Sequence, residues 1–315
     1  MSEELVLGST LGPFRILRPI GKGGMGAVYL AFQTSLKRQM AVKVISSPSV
    51  RKEVSHHRFL REIELCSQLD HPNIVKIYCT GSVGKLPYFA MDYVEGLPLH
   101  AYVKEKKIAM EDKLLIVKTI AEALGYAHQK GIIHRDVKPS NIMIESGGRP
   151  VLMDFGLAKN NKIMDKKLTV SGEILGTPRY MSPEQARGEK DIDGRSDLYA
   201  LGCVLYEIAT EAPMFEGEST IKVLYQVFSV FPRLPRDIDP SIPPDVEALI
   251  LKSTDKNKKR RYQTAGEFVQ DIERCLDKKS TQARRGYRLR KIVHRAGSYQ
   301  KLSLYATASD RKSVV

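Results

Sequence analysis

Alternating apolar and polar positions in the first hundred residues predict short β-strands. The runs FRILRPI, GAVYLAFQ and QMAVKVI occupy residues 14–20, 26–33 and 39–45, and YFAMDYVEG follows at 88–96. Turn residues bound each run, as is typical of strands. Between them, RFLREIELCSQLD carries apolar residues at helical spacing, namely Phe59, Ile63, Cys66 and Leu69. This part of the chain is therefore predicted to be rich in sheet, with one helix.

Beyond Leu97 the pattern changes to longer segments with helical spacing. They read DKLLIVKTIAEALGYAHQKG, DLYALGCVLYEIAT, TIKVLYQVFS, PPDVEALILKST and AGEFVQDIERCL. Pro243 and Pro244 open the fourth segment and Thr264 precedes the fifth, which are common residues at helix N-termini. The two halves together predict an α+β protein, sheet-rich first and mostly helical afterwards.

Net charge is concentrated at one end of the chain. Of the total +14, residues 278–315 contribute +10, from eleven Lys or Arg against one acid, Asp310, so residues 1–277 carry only +4. Such a basic tail can dock on an anionic membrane or on nucleic acid, or it can be a solvated, disordered extension. The sequence leaves these three alternatives open.

Targeting and redox features favour a cytoplasmic protein, with peripheral attachment at the inner face of a membrane as the alternative. The start, MSEELVLGST, has no basic region followed by an apolar run. The longest apolar stretch, Leu198–Ala209, is shorter than the ~20 residues of a membrane span. Four scattered cysteines predict reduced thiols without structural zinc: Cys66, Cys79, Cys203 and Cys275.

A glycine cluster, GKGGMGAVY, contains the spacing G-x-G-x-x-G at Gly21, Gly23 and Gly26. Glycines allow backbone N–H groups to approach a phosphate chain without a Cβ in the way. A dinucleotide-binding loop would lead into a helix, whereas these glycines lie between two predicted strands. The alternative is an ordinary β-turn.

Lys43 stands in the middle of the apolar run AVKVI. A buried ammonium group needs an anion, and the following helix offers Glu62 or Glu64. We favour Glu62 because it falls on the same side of the helix as Phe59 and Cys66. The alternative is a lysine whose stem is buried and whose charged end reaches water.

Two further motifs concentrate charge. HRDVKPSN, residues 134–141, places Asp136 between Arg135 and Lys138. In VLMDFGLAK, Asp154 ends an apolar run, a position where an oxygen ligand can hold a hard cation, and Asn141 can supply a second oxygen.

In this order, and followed by GTPRYMSPE, DLYALG and KRRYQTA, these motifs resemble the eukaryotic-type serine/threonine protein kinases, most closely their bacterial branch. The resemblance covers about residues 14–276. It implies the two-lobed kinase fold, with a small β-rich N-lobe at about 14–95 and a larger, mostly helical C-lobe at about 96–276. Residues 1–13 are expected to be an N-terminal extension, and residues 277–315 a disordered basic tail.

The resemblance also implies roles for the charged residues. Asp136 would accept the proton of the substrate hydroxyl, and Lys138 would neutralise the transferring phosphoryl group. Lys43, held by Glu62, would contact the α- and β-phosphates of ATP. Asn141 and Asp154 would hold Mg²⁺, with Mn²⁺ as an alternative. His134 is expected to pack beside the metal-binding turn.

ATP is expected between the two lobes. The adenine would lie against four apolar side chains, the backbone of two residues would bond its edge, and a large side chain would stand behind it. The predicted ATP-binding residues are Ile20, Gly21, Lys22, Gly23, Gly24, Met25, Gly26, Val28, Ala41, Lys43, Met91, Asp92, Val94 and Met143.

The substrate class and regulation follow from the same resemblance. Lys138 with Pro139, and the segment GTPRY, are typical of kinases that phosphorylate serine and threonine. Thr177 would bond to Asp136 and Lys138. Arg135 would bind a phosphate placed on Thr169 or Ser171 by autophosphorylation, in trans within a kinase homodimer. SPE replaces the family's APE at residues 182–184, and the sequence still allows an ion pair between Glu184 and Arg261.

Overall fold

The structure, a computed structural model, describes residues 8–23, 26–45, 53–84, 86–155, 178–292 and 294–295. The chain divides into two compact units. The first comprises residues 1–105, 126–135 and 139–176, and the second comprises residues 106–125, 136–138 and 177–315.

The first unit is built on an antiparallel sheet of six strands. The strands are β1 (Thr10–Leu11), β2 (Phe14–Gly23), β3 (Gly26–Gln33), β4 (Arg38–Ile45), β5 (Ile77–Val83) and β6 (Leu86–Asp92). Their order in the sheet is β1-β2-β3-β4-β6-β5. The helix α1 (Glu53–Ser67) lies between β4 and β5 in the chain and contacts β5.

The two faces of this sheet differ in chemistry because successive strand residues point to opposite sides. One face buries a hydrophobic cluster that includes Phe14, Ile16, Met40, Val42 and Val44. On the other face, cross-strand pairing aligns Val28 with Lys43 and Phe89, and Leu30 with Ala41 and Met91. Lys43 therefore lies on the face opposite the main cluster.

A second, small sheet belongs to the same unit. It consists of β7 (Gly96–Pro98), β8 (Ile142–Glu145) and β9 (Pro150–Leu152), and α2 (Leu99–Lys106) follows β7. The N–H of Val75 donates to the carbonyl of Leu152 at 3.0 Å, and the N–H of Leu152 donates to the carbonyl of Asn73 at 2.8 Å. These bonds tie β9 to the segment that precedes β5.

The helix α3 (Met110–Gln129) begins in the second unit and ends in the first. The second unit also contains α4 (Pro183–Ala186), α5 (Gly194–Thr210), α6 (Thr220–Ser229), α7 (Pro235–Ile238), α8 (Pro244–Ser253) and α9 (Ala265–Leu276). The helix α5 is its core element, since nearly all its residues are buried, among them Tyr199, Leu201, Val204 and Leu205. None of the helices in the described parts of the chain is long and apolar enough to cross a membrane.

Both helix starts predicted in this unit are confirmed. Pro244 is the first residue of α8 and Pro243 precedes it. The hydroxyl of Thr264 accepts a hydrogen bond from the N–H of Glu267 at 3.2 Å and so caps α9. Such a cap satisfies one of the free amide groups of the first turn.

The beginning of the basic tail differs from the predicted disorder. Residues 282–284 form a turn of 3-10 helix and residues 287–292 are helical. The carboxylate of Asp271 accepts hydrogen bonds from the N–H groups of Gln282 and Ala283, and the Tyr287 hydroxyl donates to Glu247. Buried acids of the second unit thus hold this segment, which charge composition alone does not reveal.

Candidate active site

The glycine cluster lies in the hairpin of β2 and β3, as its position between two predicted strands indicates. Gly21 pairs with Val28, and Gly23 pairs with Gly26. Gly26 has φ +153°, and a Cβ at this position would lie 1.9 Å from the carbonyl oxygen of Val44. Only glycine fits there, because β4 passes directly against the backbone.

Lys43 forms an ion pair on the sheet face opposite the main hydrophobic cluster. Its Nζ lies 2.6 Å from Oδ2 of Asp154, and the two side chains are 16% and 28% exposed. The Lys43 ammonium also lies 6.0 Å from the centre of the Phe89 ring. An anion for this buried lysine was expected from the sequence, and Asp154 provides one.

The predicted partner Glu62 lies on α1. Glu62 is half-buried while Glu64 is exposed, and the neighbouring Ile63 and Cys66 are buried. Burial, and then the negative charge of Glu62, raise the pKa of the Cys66 thiol to about 12. Glu62 therefore takes the inner side of α1, as predicted, and its pairing with Lys43 stays a prediction.

Asp154 is unusual in both its backbone and its carboxylate. Its backbone is left-handed, with φ 44°, which is strained for a residue other than glycine. While Oδ2 contacts Lys43, Oδ1 is buried and has no hydrogen-bond partner among the described residues. A buried carboxylate oxygen without a partner is costly unless a cation or donor completes it. Carboxylate and amide oxygens suit Mg²⁺, and the residues present therefore fit this ion.

The backbone around Asp154 is held in place by its neighbours. The N–H of Met153 donates to the carbonyl of Asn141 at 2.8 Å, and the Asn141 side chain is buried. Nε2 of His134 donates to the carbonyl of Met153 at 2.8 Å, and the His134 ring packs on Phe155 at 4.6 Å between centroids. His134 thus packs beside this turn, as the sequence predicts.

The apolar residues predicted to surround adenine all belong to the first unit. Ala41 and Met91 are opposite each other in β4 and β6 and are buried. The N–H of Asp92 already donates to the carbonyl of Lys76 at 3.0 Å. This N–H is therefore already used, and the base-edge role expected of the Asp92 backbone stays a prediction. Of the other apolar residues predicted to bind ATP, Val94 is buried, and Ile20, Val28 and Met143 are half-buried.

Asp136 and Lys138 belong to the second unit. Nζ of Lys138 lies 3.0 Å from Oδ2 of Asp136, and the two side chains are 20% and 17% exposed. Both side chains are therefore partly exposed and in contact with each other. Arg135, directly before them, has φ 64°, so the loop contains a second strained residue.

A buried ion pair stabilises the second unit. Arg261 donates to both carboxylate oxygens of Glu184 at 2.7 and 2.8 Å, and the hydroxyl of Ser196 donates at 2.7 Å. Burial would raise the pKa of Glu184, but these hydrogen bonds and the guanidinium charge lower it to about 2. The predicted pair is confirmed, whereas Ser196 was not recognised from the sequence.

A second contact that the sequence did not indicate lies close to α4. The hydroxyl of Tyr180 donates to Oε2 of Glu207 at 2.5 Å, and the Tyr180 pKa is raised, first by burial and then by this carboxylate.

Several predicted residues lie outside the described residues, namely Gly24, Met25, Thr169, Ser171 and Thr177.

Three features found here are typical of the protein kinases, a class of phosphotransferases. They are a glycine-rich hairpin, a lysine of the sheet that pairs with an aspartate, and a mostly helical second unit. The family model for the protein kinase domain matches residues 14–278. The chain belongs to the protein kinase family, and the predicted fold, β-rich first and helical afterwards, is confirmed.

Curated relatives agree with this assignment. The chain is 40% identical over 282 residues to the probable serine/threonine-protein kinase SCO3848 of Streptomyces coelicolor, covering 88% of this chain and 41% of that protein. It is 41% identical over 260 residues to the serine/threonine-protein kinase PknB of Mycobacterium tuberculosis, covering 81% and 41%. The chain thus spans about two fifths of the length of these relatives.

Among solved structures, the kinase domain of PknI from Mycobacterium tuberculosis is similar. It superposes with a TM-score of 0.70 at 26% identity, covering 87% of this chain and all of that domain.

Proposed function

We propose that this protein transfers the γ-phosphoryl group of ATP to serine and threonine hydroxyls of proteins. The observation that carries this proposal is the Lys43–Asp154 ion pair, in which Oδ1 of Asp154 is buried and has no hydrogen-bond partner in the part of the chain that the structure describes. The names of the curated relatives support serine and threonine as acceptors.

The first unit would bind the nucleotide. Gly26 keeps the β2–β3 hairpin close to β4, and the hairpin's backbone N–H groups, including those of Gly21, Lys22 and Gly23, would face the phosphates. Lys43 would contact the α- and β-phosphates, with Glu62 as its partner. The buried Ala41 and Met91 would bound the adenine pocket.

Asp154 and Asn141 would hold Mg²⁺, or Mn²⁺ in its place. When bound, the metal neutralises charge on the phosphates of the nucleotide. The protein's part is positional: the bonds among His134, Met153 and Asn141 fix the backbone that presents both oxygen ligands.

Asp136 and Lys138 would act on the substrate. A carboxylate at Asp136 would orient the attacking hydroxyl and accept its proton while the new P–O bond forms, the bond from the γ-phosphorus to the bridging oxygen breaks, and ADP leaves. Lys138, in contact with Asp136, would neutralise negative charge on the transferring phosphoryl group. Neither residue needs to form a covalent intermediate.

Regulation would operate through autophosphorylation in trans within a kinase homodimer. A phosphate on Thr169 or Ser171 would pair with Arg135, and Thr177 would bond to Asp136 and Lys138. We place the enzyme in the cytoplasm, where ATP, Mg²⁺ and protein substrates are available together.

Radiolabelled ATP with Mg²⁺ and a generic protein substrate tests this function. We expect label on phosphoserine and phosphothreonine, and loss of most of it in Lys43→Met and Asp154→Asn. Lys76→Met serves as the matched control, because Lys76 directly precedes β5 of the same unit and pairs with the exposed Asp70. Label found mainly on tyrosine, or full transfer by Asp154→Asn, would contradict the proposal.

A further inference from the structure

The helix formed by residues 287–292 with 294 and 295 has two distinct sides. Its inner side holds Tyr287, Lys291 and His294, spaced four and three residues apart. Tyr287 donates to Oε1 of the buried Glu247 at 2.5 Å, and Lys291 lies 3.4 Å from the same oxygen. The His294 ring packs on Phe231 at 4.7 Å between centroids. This side therefore fixes the orientation of the helix on the second unit.

The outer side combines cations with large apolar side chains. Leu289 is 67% exposed and Ile292 is 63% exposed. Arg288 and Arg295 are exposed on either side of this pair, and Arg285 is exposed in the preceding turn. We call these five residues the cationic–apolar face. A single acid approaches it among the described residues, Asp237, at 3.5 Å from Arg295.

The surrounding sequence strengthens the positive charge. From Lys278 to Arg295 the chain has eight Lys or Arg and no acid. Helices that lie in a membrane interface have this composition: apolar side chains enter the headgroup boundary while Arg and Lys beside them contact anionic lipids.

We propose that the cationic–apolar face binds the second unit to a membrane surface rich in anionic lipid. Leu289 and Ile292 would enter the headgroup region, and Arg285, Arg288 and Arg295 would contact lipid phosphates or carboxylates. The inner side of the helix is already held by Glu247, so binding would require no rearrangement of the unit.

Two other occupants fit less well. Nucleic acid is contacted through phosphate-binding cations and stacked aromatic or polar side chains, whereas the centre of this face is aliphatic. A second copy of the chain would bring the same arginines against each other in a two-fold contact, and like charges in such an interface repel.

Co-sedimentation of the full chain with vesicles tests this inference. Vesicles of phosphatidylcholine alone are compared with vesicles containing 30% phosphatidylglycerol at physiological salt, with inorganic phosphate as a soluble competitor. We expect binding to the anionic vesicles only, with no competition by millimolar phosphate. Arg285→Gln with Arg288→Gln should weaken binding about 25-fold, since each cation near an anionic surface contributes roughly fivefold.

A second variant separates the apolar contribution from charge. Leu289→Asn with Ile292→Asn leaves all arginines in place and should weaken binding at least tenfold. Ile221→Asn is the matched control, because Ile221 on α6 is 66% exposed and lies outside the face. Both double variants should phosphorylate a soluble peptide at the wild-type rate, which separates this inference from the proposed kinase function.

Several results would overturn the inference. Unchanged binding of both double variants would show that other basic residues, such as those after residue 295, attach the chain. Equal binding to neutral vesicles would exclude recognition of anionic lipid. Tighter binding to a DNA duplex than to anionic vesicles at the same salt, or a dimer that requires Leu289, would assign the face to another partner.

Discussion

Removal of the buried charge of Glu184 should destabilise the second unit strongly. Glu184 and Arg261 are 4% and 0% exposed at their side chains, and the guanidinium binds both carboxylate oxygens. Glu184→Gln keeps the shape but leaves Arg261 with an uncompensated buried charge. Breaking a buried pair in this way costs about 3–5 kcal/mol.

The pKa of Glu184 gives an independent value for the stability that this ion pair contributes. The folded-state pKa is about 2, below the reference value of 4.5. A lowered pKa contributes stability that is fully present above pH 4.5 and is lost as the pH falls towards 2. A difference of about 2.5 units corresponds to about 3 kcal/mol. The wild-type advantage over Glu184→Gln should therefore shrink within this pH window.

Urea unfolding followed by far-ultraviolet circular dichroism at pH 7, 4.5 and 3 measures this effect. Glu189→Gln is the matched control, because Glu189 pairs with Arg187 at 3.1 Å in an exposed position. The control should change the free energy of unfolding by less than about 1 kcal/mol. A Glu184→Gln effect below that value at pH 7, or one of equal size at pH 3, would refute the reasoning.

Three further changes have defined outcomes. Gly26→Ala should reduce ATP affinity at least tenfold by isothermal titration, because the new Cβ meets the Val44 carbonyl. Gly84→Ala is the control: this glycine lies at a turn with open space and φ +56°, and its replacement should leave ATP affinity unchanged. Met91→Gly should allow use of ATP analogues with bulky N6 substituents, and no gain with ATP activity preserved would refute the placement of this buried residue. The Thr169→Ala, Ser171→Ala double variant should start inactive and stay so, and full activity from the first turnover would exclude loop phosphorylation as the switch.

The sequence predicts best the elements whose residues repeat a period over many positions. The long helix α5 and the strands β2, β3 and β4 have such patterns, and the caps at Pro243 and Thr264 are local signals. The strands β7, β8 and β9 have only three or four residues each, and the pairing of β7 with β8 joins distant segments of the chain. A local pattern contains no information about such pairing.

Contacts of the candidate active site and of the second unit also depend on residues that are distant in the sequence, which local patterns do not reveal. The sequence indicates that Lys43 needs an anion, but the choice between Glu62 and Glu64 could not include Asp154, which the fold brings within 2.6 Å. The Glu184–Arg261 pair was expected only through the family resemblance. The packing of Tyr287 on Glu247 was not predicted, because tail composition suggests disorder and says nothing of a buried acid elsewhere.

The role of Asp136 is tested most directly by measuring phosphotransfer and nucleotide affinity on the same Asp136→Asn preparation. Asparagine keeps the size of the side chain but cannot accept the proton of the substrate hydroxyl. We expect kcat to fall by about 10²- to 10⁴-fold, the range that general-base catalysis contributes, while the Kd for ATP with Mg²⁺ stays within twofold of wild type. A near-normal kcat in Asp136→Asn would contradict the assignment of this residue and the mechanism built on it.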